Sequence, residues 1–127
     1  MKASASIRAE GNGYQVLFEW LDFDGDDCFR DFRIEIVNGS GTERFDFGDC
    51  AIRGLRKVVR FFRGRLDNAG GGFRFPDIRS YELARTEAGF TLQIRFEGND
   101  LSRQFRIDNP ALTFDDEFLD EYEADRP

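Results

Sequence analysis

The chain has 127 residues, enough for one domain with a real core and too few for two. It is 40% hydrophobic and 34% charged, and fifteen of its nineteen aromatic residues are Phe, which excludes a disordered or low-complexity polymer. The net charge is −7 and there is no His, so counterion-driven nucleic-acid binding and imidazole-based catalysis or metal ligation are both disfavoured.

The stretch from Met1 to Gly13 lacks the apolar region of a secretory signal, and no apolar run approaches the roughly 20 residues that a membrane-spanning helix needs. From Gly13 the period is two. Tyr14, Val16, Phe18 and Trp20 alternate with Gln15, Leu17, Glu19 and Leu21, as in a strand buried on one face. The run 22–27 follows, and its Asp24-Gly25 pair signals a hairpin turn. Phe32, Ile34 and Ile36 then mark a second strand, Asn38-Gly39-Ser40-Gly41 a turn, and Phe45 with Phe47 a third, short strand.

After Gly48 the period lengthens. Asp49 is placed as an N-cap, and Ile52, Leu55, Val58, Val59 and Phe62 share one side of a helix predicted over residues 50–63, with Gly64 ending it. Arg53, Arg56, Lys57, Arg60 and Arg63 fall on the opposite side. Gly54 inside the helix fits close packing against a sheet. The run Asn68-Ala69-Gly70-Gly71-Gly72 reads as a mobile loop. A short strand is predicted from Phe73 to Ile78, with Pro76 at an edge. Further strands are predicted over 80–86, 90–97 and 101–108, with turns at Glu87-Ala88-Gly89 and Gly98-Asn99-Asp100 and a stop at Asn109-Pro110. Beyond these, Asp115 is placed to cap a short C-terminal helix that turns Phe118, Leu119 and Tyr122 inward.

The sum predicts a single α+β domain over 1–127, mainly β: an antiparallel sheet or β-sandwich with one amphipathic helix packed on it and a short C-terminal helix. Residues 115–127 form an acidic segment, read either as a frayed, solubilising tail or as a docking surface.

Little in the chain points to chemistry. Cys28 and Cys50 lack a CxxC spacing and a His to activate them, and read as reduced thiols of a cytoplasmic protein. The acids Asp22, Asp24, Asp26 and Asp27 miss the glycine and glutamate positions of a calcium loop, so no metal is expected there. No phosphate loop or nucleophile elbow occurs, and no cofactor is predicted. What the sequence does offer is segregated charge. Asp115, Asp116, Glu117, Asp120, Glu121, Glu123 and Asp125 carry seven negative charges, against the single positive charge of Arg126. These acids are interspersed with rings, an arrangement that suits a basic partner protein. The expected partner-binding residues are Asp116, Glu117, Asp120, Glu121 and Tyr122, with Asp24, Asp26 and Asp27 as a second patch. The basic helix face reads as a solvated side, as a surface for an anionic partner, or as a mate for the acidic C-terminus. Two other classes stay open: a ligand-binding domain with a pocket between sheet and helix, and an oligomer subunit joined through a sheet edge.

Phe18-Glu19-Trp20-Leu21, Phe32-Arg33-Ile34-Glu35-Ile36 and Cys50-Ala51-Ile52-Arg53-Gly54-Leu55 occur in order, before a late strand pair and an acidic aromatic end. This succession resembles WapI-type immunity proteins of bacterial polymorphic toxin systems over most of the chain. The resemblance rests on pattern, so no family site residue carries over. It implies a non-enzymatic cytoplasmic protein that neutralises a cognate toxin by binding it.

Overall fold

The computed structural model describes residues 4–24, 27–73, 79–97 and 101–115. Ten strands and one helix are described: β1 (Ala5–Gly11), β2 (Tyr14–Phe23), β3 (Cys28–Asn38), β4 (Gly41–Asp46), β5 (Cys50–Ala51), α1 (Ile52–Phe62), β6 (Asn68–Phe73), β7 (Arg79–Arg85), β8 (Gly89–Phe96), β9 (Leu101–Asp108) and β10 (Ala111–Asp115). They form two antiparallel sheets. The first has six strands in the order β10-β1-β2-β3-β4, with β5 also paired to β3. The second has the order β6-β7-β8-β9.

Alternation along the strands builds the core. Val16, Phe18 and Trp20 of β2 and Phe32, Ile34 and Ile36 of β3 are buried, while their neighbours face outward. The inner faces meet through rings: Phe32 lies 5.1 Å from Tyr81 and 6.2 Å from Phe73, and Phe47 lies 6.0 Å from Phe96. The helix completes the core at one side. Phe62 packs 5.4 Å from Phe18 of the first sheet and 5.1 Å from Phe90 of the second, so α1 closes against both.

Several expectations need correction. The amino-terminal stretch contains β1, whose Ala5, Ile7 and Ala9 are buried, and Asn12-Gly13 is the two-residue turn that leads into β2. Asp49 does not cap the helix. Cys50 and Ala51 are drawn into pairing with Phe29 and Cys28, and the Asp27 carbonyl accepts the Ile52 N–H at 2.8 Å. A backbone oxygen of the β2–β3 hairpin thus does the work assigned to a side chain. At the other end the expectation holds. Gly64 adopts φ +80°, and the Gly64 and Arg65 amides bond the carbonyls of Phe61 and Arg60.

The glycine run is strand rather than loop. β6 pairs with β7 in unbroken register, and a Cβ on Gly70 would strike the Tyr81 carbonyl oxygen. Glycine is what lets the two backbones approach there. Of the strand predicted from Phe73 to Ile78, Phe73 is the last residue of β6, and residues 74–78 lie outside the described residues. Asp115 ends β10 opposite Ser6 of β1, and the C-terminal helix predicted beyond it lies outside the described residues.

Asn12 also joins the two sheets. Its side-chain amide donates to the Arg106 carbonyl at 3.1 Å and accepts from the Asp108 N–H at 2.8 Å, replacing a neighbouring strand at the outer edge of β9. Asn12→Ala is expected to lower stability by about 1–2 kcal/mol, from two lost bonds and a left-handed φ that Ala adopts less readily. Urea unfolding measures that loss, and faster hydrogen exchange at the Asp108 amide would localise it.

Candidate functional site

The first sheet brings widely separated segments to one end. Register pairs Ala5 with Trp20 and Ser6 with Asp115, so the start of β1, the exit of β2 and the end of β10 lie together. The end of β2 and the turn beyond it form the acidic hairpin tip. Asp22, Asp24 and Asp27 are exposed there, and Asp22 and Asp27 adopt φ +58° and +62°. Asp and Asn tolerate that left-handed region better than most residues, a local reason for acids at this turn. The Asp24 N–H donates to the Cys28 carbonyl at 3.0 Å and closes the hairpin.

α1 runs from this tip to the last strand. Its first amide is held by Asp27, and near its far end the Arg63 guanidinium sits 4.9 Å from the centre of the Phe114 ring of β10. Six of its eleven residues are buried: Ile52, Leu55, Val58, Val59, Phe61 and Phe62. At 100° per residue they occupy about half the circumference. The cations occupy the rest. Arg53 and Lys57 are exposed, whereas Arg56, Arg60 and Arg63, which share a stripe four and three residues apart, are half-buried. Gly54 is the tight point of the first turn: a Cβ there would lie 2.9 Å from the Cys50 sulfur.

The structure therefore places the hairpin of Asp24 and Asp27 at the start of the helix whose basic face carries Arg53, Arg56, Lys57, Arg60 and Arg63. Asp26, Asp116, Glu117, Asp120, Glu121 and Tyr122 lie outside the described residues. Both cysteines are free thiols. Burial pushes the Cys50 thiol up to about 12, opposed by the Trp20 indole N–H. Burial, and then the carboxylates of Asp24 and Asp49, raise the Cys28 thiol. Both shifts oppose thiolate formation at neutral pH, so neither sulfur is prepared as a nucleophile.

No protein-family model matches the chain, and neither a curated protein nor a solved structure matches it. The reading of this end rests on its own residues.

The space between helix and sheets, where a ligand pocket was one expectation, is occupied by Phe18, Phe61, Phe62 and Phe90. A concavity of about 550 Å³ lies instead along β6, β7 and β8, lined by Asn68, Gly70, Ser80, Glu82, Gln93 and Arg95 among others. Reading the glycine run as a loop hid this polar hollow; its sequence signal was the strand alternation across Ser80 and Glu82. Among the described residues, no group of three or more Cys, Asp or Glu is placed to hold a metal ion, and no helix is long and apolar enough to cross a membrane.

Proposed function

We propose that this chain is a non-enzymatic binding protein whose acidic end docks on a partner protein with a basic surface. It occludes that surface in the manner of an immunity protein neutralising its cognate toxin. The observation that carries the reading is the convergence at one end of the first sheet. The exposed Asp22, Asp24 and Asp27 of the β2–β3 hairpin stand at the end where β10 delivers the acidic segment beginning at Asp115. Two acidic stretches far apart in sequence then face one partner, steering its approach at a rate that falls as salt rises. Phe118 and Tyr122 supply rings, and Leu119 an aliphatic side chain, to anchor such a contact. The raised thiols and the absence of His leave few groups able to turn over a substrate, in accord with the resemblance to WapI-type immunity proteins. Two free cysteines suit a reducing cytoplasm, where such a protein meets its toxin.

The test is to express the product of the adjacent reading frame and titrate it with the full chain and with a chain ending at Asp115. The shortened chain is expected to bind about tenfold more weakly at low salt, as the loss of several exposed charge contacts implies. Equal affinity would remove the segment from the interface. No complex with the neighbouring product would reject the immunity reading.

A further inference from the structure

We propose that the basic face of α1 is a docking surface for this chain's own C-terminal segment, residues 116–127. The departure point comes first. β10 runs from Ala111 to Asp115, and the Phe114 ring lies beneath the Arg63 guanidinium at 4.9 Å, so the segment leaves the sheet at one end of the cationic stripe. Length comes second. The eleven residues of α1 measure about 16 Å along the axis, and a twelve-residue segment reaches that far without being fully extended. Charge comes third: Asp116, Glu117, Asp120, Glu121, Glu123 and Asp125 are set against Arg53, Arg56, Lys57, Arg60 and Arg63.

Burial identifies the flank. Arg56, Arg60 and Arg63 are half-buried, while Arg53 and Lys57, one step further round, are exposed. The half-buried cations include the one that touches β10, so Arg63, Arg60 and Arg56 are the proposed seat. Each exposed pair is weak by itself, but a tether of a few residues holds the acids at millimolar effective concentration, and several weak pairs then suffice. A separate anionic protein would have to compete against that concentration, which is why the occupant is this chain.

One consequence rests on the proposed function. The segment would exchange the helix for the basic partner, so weakening its seat on the helix would tighten partner binding. The docking itself is tested without any partner. Amide spectra of the full chain and of the chain ending at Asp115 are recorded by NMR at low salt and at about 0.5 M salt, where screening is nearly complete over ~4–5 Å. At low salt the Arg56, Arg60 and Arg63 amides are expected to differ between the two chains. At high salt they should converge, and a synthetic peptide of residues 116–127 should shift the shortened chain toward the full one. In the full chain, R56E/R60E is expected to speed cleavage by a glutamate-specific protease at Glu117 and Glu121 about tenfold, and R53E/K57E to do so less. Coincident α1 amides at low salt, or no response to the peptide, would overturn the proposal. The peptide titration decides even if R56E/R60E fails to fold. Failure to find a partner complex leaves these spectra untouched, so the two readings fall separately.

Discussion

Replacing Phe32 by Ala is expected to destabilise the protein by about 3–5 kcal/mol, a large share of the 5–15 kcal/mol that holds an ordinary domain. The ring is fully buried and sits where the two sheets meet. Its centroid lies 5.0 Å from Trp20 and 5.4 Å from Phe47 on its own side of the core. Across the interface it lies 5.1 Å from Tyr81 and 6.2 Å from Phe73. Truncation removes the transfer energy of the ring and leaves a void bounded by four other rings; Trp20, Phe73 and Tyr81 are fixed on strands, and Phe47, just past β4, is tied by its N–H to the Phe32 carbonyl. Because Trp20 is the chain's single Trp and stacks on Phe32, its fluorescence in urea reports both the midpoint and the altered packing. Phe62→Ala is the informative comparison, since Phe62 joins the sheets through the helix rather than directly. A loss below about 1 kcal/mol for Phe32→Ala, beside a large one for Phe62→Ala, would show that the helix and not the sheet-to-sheet contact unites the core.

The elements that declared themselves in the sequence are those whose alternation uses large side chains. Phe18 and Trp20, Phe32 and Ile34, Phe90 and Leu92, and Phe105 and Ile107 each repeat at two residues, and each lies in the core. The strands that stayed hidden carry small or sparse side chains. β1 alternates through Ala5, Ile7 and Ala9, and β10 is five residues long with Leu112 and Phe114 turned inward. Asn12-Gly13 is a local signal that would have exposed β1, but the pairing of β10 with β1 joins residues about a hundred apart and has no local trace. Composition misled at the glycine run, because the neighbouring β7 backbone and not the run's own preference makes it a strand. Likewise the helix start belongs to Asp27, a distant carbonyl, and not to the adjacent Asp49. For the site, charge counting located an acidic segment and a basic helix face. That α1 stretches from the acidic hairpin to β10 is a tertiary fact, carried by the Asp27 and Phe114 contacts.

Burial of Cys50 and Tyr81 makes stability fall in alkali, and the sign follows from which form the fold prefers. Cys50 titrates at about 12 in the folded protein, against an ordinary 9.0, chiefly because burial disfavours the thiolate. Tyr81 is raised above its ordinary 10.0 by burial, with repulsion from Cys50 second. Above pH 9 the unfolded chain releases protons that the native protein retains, so unfolding becomes easier as pH rises. The Cys50 contribution is therefore complete below pH 9 and is lost progressively toward pH 12. Its full size is about 4 kcal/mol, from 1.36 kcal/mol per pKa unit. Tyr81 adds a loss of the same sign beginning near pH 10. Urea midpoints at pH 8, 9, 10 and 11 measure the slope, and Cys50→Ala isolates one group. The variant starts somewhat less stable, having lost a buried sulfur against Gly54, but should lose less between pH 9 and 10, where Tyr81 has yet to act. Parallel decline in variant and parent would mean that the Cys50 thiolate forms freely inside the fold. The close approach of α1 to β5 at Gly54 would then have to admit solvent, and the helix that carries the basic face would be less firmly seated than its packing requires.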